Sequence, residues 1–238
     1  MTINKHHFAE TQNLRQAKKS YTLLERKVRF AIGSRDNETL NILLPFLFIN
    51  AGMIIENNLY QIINSNNISD KVRKNVYSKS GLHEKWATLV KESVKENYNK
   101  NITDLPFSDR KKYEELLNFI DENINWLYKI RNKFAHGQLV EAFNNKRTEF
   151  NTEVTDKIKK LNYFDIKKTK KIFEHIMSDL LLYTASSYNA FSVQFDKYYA
   201  KFEEIQKQFN SSEYKNYVNM LQKRHDLKPK NTSSRIKI

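Results

Sequence analysis

Four glycines and three prolines in 238 residues leave this chain almost no means of turning sharply. Glycine supplies left-handed backbone and proline breaks hydrogen-bond ladders. A β-sandwich, with turns every ten or so residues, is therefore excluded. The same scarcity removes glycine-rich phosphate loops, and neither G-x-G-x-x-G nor G-x-x-x-x-G-K-[ST] occurs. Cysteine is absent, which excludes disulfide scaffolds, thiolate zinc sites, iron–sulfur clusters and cysteine nucleophiles. Hydrophobic residues make up 39% of the chain and aromatics 13%, enough to bury a core. Apolar residues recur at helical spacing along almost every segment, and no strand pair is evident.

The expected fold class is all-α: an irregular helical bundle with a C-terminal helical extension. Residues 1–36 form an N-terminal helix packing on the core, with Leu14, Ala17, Tyr21, Leu24, Val28 and Ala31 on one face and Gly33 as C-cap. A helical domain spans 37–190. Its first helix, capped by Asn37, contains Pro45 and is apolar nearly all round from Leu40 to Ile55, which predicts a central, buried position. A short helix capped by Ser69 or Asp70 runs to near Gly81, and another spans Leu82 to Tyr98. Ser108 or Asp109 starts a long helix that stops at Gly137. Residues 138–150 read as irregular, and a weak helix covers Glu153 to Leu161. Asp165 is placed to cap a last long helix reaching Phe209. Residues 191–226 read as a more exposed helical extension, and 227–238 as a disordered basic tail.

The formal net charge is +14 and the isoelectric point about 9.6. Such a balance favours polyanionic partners, nucleic acid or an anionic membrane. The abundance of Asn, Lys and Ile also fits an AT-rich coding sequence that inflates lysine without functional cause. Clustering decides between the two. Lys167, Lys168, Lys170 and Lys171 form one cluster, and Lys228, Lys230, Arg235 and Lys237 another. The longest uninterrupted apolar stretch, Ile42 to Ile49, falls far short of the ~20 residues of a membrane span. The N-terminus lacks a signal-peptide core. No helix joins a clean basic face to a clean apolar one. A cytoplasmic protein without membrane attachment is expected.

Chemistry concentrates in Arg131-Asn132-Lys133-Phe134-Ala135-His136-Gly137, at the end of the long helix. Arg131 lies at the edge of an apolar stripe that includes Leu127 and Phe134, so its guanidinium needs a partner or a second surface. At about 100° per residue, Arg131 and His136 diverge by roughly 140°. Either the last turn unwinds at Gly137, or two copies of the helix meet in one cleft. A histidine can exchange protons near neutral pH, and an arginine can hold a phosphate bidentately. With RNA as substrate the 2′-OH is the nucleophile, so no metal, cofactor, Ser or Cys is needed. The plainer reading of the same residues is two cations complementing a helix dipole. His83 and His175 have no evident partner, His6, His7 and His225 lie near the ends, and no H-E-x-x-H metal motif occurs.

The Arg131-Asn132-x-x-x-His136-Gly137 pattern resembles the signature of the HEPN superfamily, whose ribonucleases carry Arg, a polar residue and then His at the end of a long helix. The resemblance implies a compact helical bundle and a metal-independent endoribonuclease. It further implies a homodimer with a composite active site, which would resolve the 140° divergence. Family members serve as toxins and antiviral effectors in toxin–antitoxin, abortive-infection and CRISPR-linked systems, some beside an antitoxin or nucleotidyltransferase partner. Carried over, Arg131 holds the phosphate, His136 is the general acid or base, and Asn132 orients either. Glu56, flanked by Ile55 and Leu59, matches an acidic residue that several members use on an earlier helix; a helix-edge carboxylate paired with a lysine is the alternative. Lys133, Lys167, Lys168, Lys170 and Lys171 are candidate RNA contacts. The competing function is a non-catalytic RNA-binding or protein-interaction module of the same fold.

Overall fold

The computed structural model describes residues 2–181, 188–209 and 211–227. Helices dominate the described residues, and their only β pairing is an isolated antiparallel bridge between Phe143 and Phe150. The basic tail predicted for 227–238 lies outside the described residues except for Leu227, as do residues 182–187.

Helix α1 (Thr2–Ser34) lies along α2 (Asn37–Ile63), burying Leu14, Ala17, Tyr21 and Val28. Gly33 is not the C-cap. The helix runs through it to Ser34, and Arg35 takes the left-handed conformation at φ 59°. Arg35 is held there by a bidentate pair to Asp226, at 3.0 and 2.9 Å. Gly33 serves a close approach instead: a Cβ there would lie 3.2 Å from the Leu221 carbonyl oxygen. Asp36, rather than Asn37, caps α2, its carboxylate accepting from the Thr39 N–H at 2.9 Å.

Helix α2 is central, with Leu47, Ile54, Ile55, Leu59 and Ile63 fully buried. It is not covered on every side, however. Ile42, Phe46 and Met53 remain 56, 50 and 42% exposed. With Ile49, which is half-buried against the core, they fall at i, i+4, i+7 and i+11, one apolar stripe along α2. By length and composition α2 also meets the measure of a membrane-spanning helix, with a mean hydropathy of 1.6 over its most apolar 18 residues. The uninterrupted run missed this because isolated polar residues divide the segment; 44% of that window is buried against the other helices.

Ser69 caps α3 (Asp70–Tyr77), which ends before Gly81. Glu84 closes the start of α4 (Leu82–Tyr98) by accepting from the Gly81 N–H at 3.2 Å. A single 3-10 turn, Ile102–Asp104, leads to α5 (Phe107–Ala135), whose stripe of Tyr113, Leu116, Ile120, Ile124, Leu127, Ile130 and Phe134 is buried. Helix α6 (Thr152–Lys160) follows. Asn162, not Asp165, caps α7 (Tyr163–Lys171), and Asp165 is the third residue of a capping box, its carboxylate accepting from the Asn162 N–H. The predicted unbroken helix to Phe209 instead widens into a π-helical turn at Ile172–Met177. There Phe173 packs against Trp86 and Phe119 with ring centroids 5.5 and 5.3 Å apart.

The segment after residue 190 is less exposed than predicted. In α8 (Tyr188–Gln208), Phe202 and Ile205 are buried, and Phe202 meets Phe119 edge-on at 5.3 Å. Helix α9 (Ser211–Asp226) folds back along α1 and buries Leu221.

Candidate active site

The C-terminal end of α5 is built by one glycine. Gly137 adopts φ 76°, which turns the chain out of the helix. Its N–H donates to the Phe134 carbonyl at 3.0 Å, and the Gln138 N–H to the Lys133 carbonyl at 2.9 Å. This is the Schellman arrangement, and it satisfies carbonyls that the helix end would otherwise orphan. His136 becomes the C-cap, its N–H held by the Asn132 and Lys133 carbonyls at 3.1 and 3.2 Å. The residue is exposed.

A looped-back segment walls this helix end. Phe143 and Phe150 stack at 4.8 Å between ring centroids, and the Asn151 N–H donates to the Ala142 carbonyl at 2.7 Å. Lys133 donates from Nζ to the Phe143 carbonyl at 2.5 Å, and the Gln138 side-chain oxygen accepts from the Phe143 N–H at 2.7 Å. Arg147 reaches back from the tip and donates to the His136 carbonyl at 3.3 Å. Together they enclose an open groove of about 670 Å³, lined among others by His136, Gln138, Phe143 and Arg147.

Arg131 lies one turn earlier and faces α2. Its Nη1 donates to Glu56 Oε2 at 2.5 Å, with the Arg131 side chain only 18% exposed. The guanidinium also lies over the Tyr128 ring, 5.5 Å from its centroid. Gly52 makes this approach possible: a Cβ there would sit 3.0 Å from Arg131 Cδ and 3.2 Å from Leu127 Cδ2. Glu56 is thus paired with Arg131 rather than with a lysine, and α2 delivers both the glycine and the carboxylate.

Within one chain the fold brings Glu56 to Arg131 and Arg147 to His136. Arg131 is not among the residues lining the His136 groove. Asn132 is half-buried, and its carbonyl holds the His136 N–H. Lys133 is tied to the loop carbonyl.

Three of the four α7 lysines are engaged elsewhere. Lys167 lies 3.7 Å from Glu25 on α1, and burial pushes its ammonium below the ordinary lysine range. Lys170 pairs with Glu174 and caps the Tyr21 ring at 4.6 Å. Lys171 donates to the Gln208 side-chain oxygen at 3.3 Å and lies over Phe209. Lys168 lines a separate hollow with Glu115 and Glu122.

Of the other histidines, His175 keeps an exposed edge, and the desolvation of the rest of its ring lowers its affinity for a proton although Glu174 opposes the shift. His7 Nδ1 lies 3.1 Å from the Gln61 carbonyl oxygen. Among the described residues no group of three or more His, Asp or Glu side chains is placed to hold a metal ion. Arg147, Tyr128 and Gly52 were not singled out in the sequence. Tyr128, three residues before Arg131 on the same helix, could have been found from spacing; Arg147 and Gly52 carry no local signal. The chain matches no family model, no curated protein and no solved structure.

Proposed function

We propose that this protein is a metal-independent endoribonuclease of the HEPN type, folded as a HEPN-like bundle and acting in the cytoplasm as a toxin or antiviral effector. One observation carries the reading: an arginine with a polar neighbour is fixed by a carboxylate on the earlier core helix α2, while the histidine five residues on is lifted out of the same helix end by Gly137. The pattern quoted from the sequence thereby acquires a geometry in which each side chain has a separate task. Glu56 and the Tyr128 ring hold the Arg131 guanidinium in one orientation, leaving its remaining donors for a phosphate. His136 keeps both ring nitrogens available for proton transfer.

The 2′-OH of the substrate attacks the adjacent phosphorus, and the P–O5′ bond breaks. One imidazole takes the 2′ proton, and the departing 5′ oxygen receives a proton from the imidazolium of the second copy or from water. The products are a 2′,3′-cyclic phosphate and a 5′-hydroxyl. Arg131 stabilises charge developing on the non-bridging oxygens. A homodimer completes the site in this reading. Its support is the stripe of exposed Ile42, Phe46 and Met53, with half-buried Ile49 between them, which Glu56 continues along the same face of α2. A second copy seated there would put two Arg131–Glu56 pairs side by side.

The test is cleavage of RNA by the full chain in excess EDTA. Wild type should release cyclic-phosphate ends. His136→Ala, at an exposed site, should keep its fold and lose about 10²- to 10⁴-fold in rate. Intact RNA with wild type, or equal cleavage by the variant, overturns the proposal and favours the non-catalytic binding module.

A further inference from the structure

A second cationic site forms where α9 crosses α1, joining Arg26 and Arg29 of the first helix to Arg224 of the last. Arg26, Arg29, Phe30 and Gly33 fall at i, i+3, i+4 and i+7 on α1, one face of the helix. Leu221, Arg224 and His225 repeat the i, i+3, i+4 spacing on α9. The two faces enclose a groove of about 440 Å³, with Gly33 and Leu221 where the helices cross.

The arginines of this groove have no paired carboxylate among the described residues, and His225 alone lies near one, 3.9 Å from Asp226. That carboxylate is engaged bidentately by Arg35. Among the described residues Arg26, Arg29 and Arg224 form no ion pair with a carboxylate. Three arginines converging on a concave surface raise local potential and concentrate anions. Phe30 lies in their midst and is 61% exposed, meeting the His225 ring at a steep angle with 5.4 Å between centroids. A large apolar ring left open beside arginines offers a stacking face within reach of phosphate ligands.

We propose that the α1/α9 groove binds a single strand of RNA, with backbone phosphates on Arg26, Arg29 and Arg224 and one base stacked on Phe30. The ring adds base recognition that a bare cationic patch lacks, and the concave shape suits a strand better than a bilayer surface. The choice of RNA rests on the ribonuclease reading; the groove of unpaired arginines does not. The site holds substrate without touching the reacting atoms.

The test measures binding of a fluorescein-labelled single-stranded RNA by anisotropy in a His136→Ala background, where the strand stays intact if His136 acts as proposed. Replacing Arg26, Arg29 and Arg224 together by Ala should weaken binding by about tenfold or more. It should also reduce the slope of log K against log salt by about 2, from ~0.7 per phosphate contact. Phe30→Leu alone should weaken binding by about tenfold and leave the salt slope unchanged. All four positions are exposed, so circular dichroism should report an unaltered fold.

Unchanged affinity and slope in the triple variant overturn the proposal, whether or not wild type cuts RNA. Competition by AMP as effective as that of the strand would overturn the strand assignment in favour of a mononucleotide. Arginine-dependent binding to phosphatidylserine vesicles, with RNA binding unaffected, would overturn it in favour of a membrane surface. Absence of RNA cleavage by wild type, with arginine-dependent binding intact, would overturn only the ribonuclease reading.

Discussion

Gly52→Ala tests how α2 positions the candidate phosphate-binding arginine. Two opposing effects set the magnitude. Alanine in a helix interior is favoured over glycine by about 0.8–1.0 kcal/mol. Against this, the added methyl would lie 3.0 Å from Arg131 Cδ and 3.2 Å from Leu127 Cδ2. Carbon atoms pack best at about 3.5–4.0 Å, so both neighbours must retreat by several tenths of an ångström. Such overpacking costs about 1–3 kcal/mol. A net loss of about 0–2 kcal/mol follows. At roughly 2–4 °C per kcal/mol for a chain of this size, Tm should fall by up to about 8 °C.

The assay is thermal unfolding of wild type, Gly52→Ala, Arg131→Ala and the double variant. Arg131→Ala removes the 3.0 Å neighbour, so the glycine substitution should cost less in that background, by about 0.5 kcal/mol or more. RNA cleavage should fall in Gly52→Ala, because the guanidinium is pushed off Glu56. A rise in Tm by the full helix-propensity gain, or strict additivity in the double variant, would refute the close approach of α2 and α5 at this point.

Two further outcomes follow from the same structure. Replacing Phe46 and Met53 together by Lys removes exposed apolar surface, so it should hold or raise monomer Tm; sedimentation should show a dimer in wild type and a monomer in the variant, with RNA cleavage lost. A wild-type monomer that cuts RNA would refute the proposed interface. Glu174 provides a pH test. Burial alone would raise its carboxyl, but hydrogen bonds and charge from Lys170 and from Lys18, at 2.9 Å, hold it below the ordinary 4.5. Its folded value being depressed, it contributes stability above about pH 4.5 and loses it as pH falls through the folded value. The Tm gap between wild type and Glu174→Gln should therefore shrink in acid below about pH 4.5; a constant gap refutes the assignment.

Helix class was legible because it is local. The shortage of turn residues and the apolar stripe of α5 act within a few residues, so Gly137 could be read as a stop and α4 placed from Leu82 to Tyr98. Helix ends were less legible where two neighbours offer the same chemistry. Asp36 and Asn37 can both cap, as can Asn162 and Asp165, and backbone geometry chooses between them. Gly33 and Gly137 look alike in sequence. One turns the chain, and the other lets another helix approach.

The α5 end carried its candidate chemistry openly, since Arg131, Asn132 and His136 occupy a single turn and its cap. The partners of these residues did not, because they come from elsewhere. Glu56 and Gly52 arrive on α2, and Arg147 on a loop closed by the Phe143–Phe150 bridge. Charge shows the division most clearly. The lysine run at 167–171 stands out in sequence, yet the fold points Lys167 and Lys170 at the carboxylates of Glu25 and Glu174. Arg224 lies far in sequence from Arg26 and Arg29, yet the return of α9 across α1 gathers all three around one ring. Sequence determines how many cations there are and which helix face each occupies, because periodicity is local. Tertiary structure alone decides which of them meet a carboxylate and which are left facing solvent, because that depends on which faces the packing of distant helices brings together.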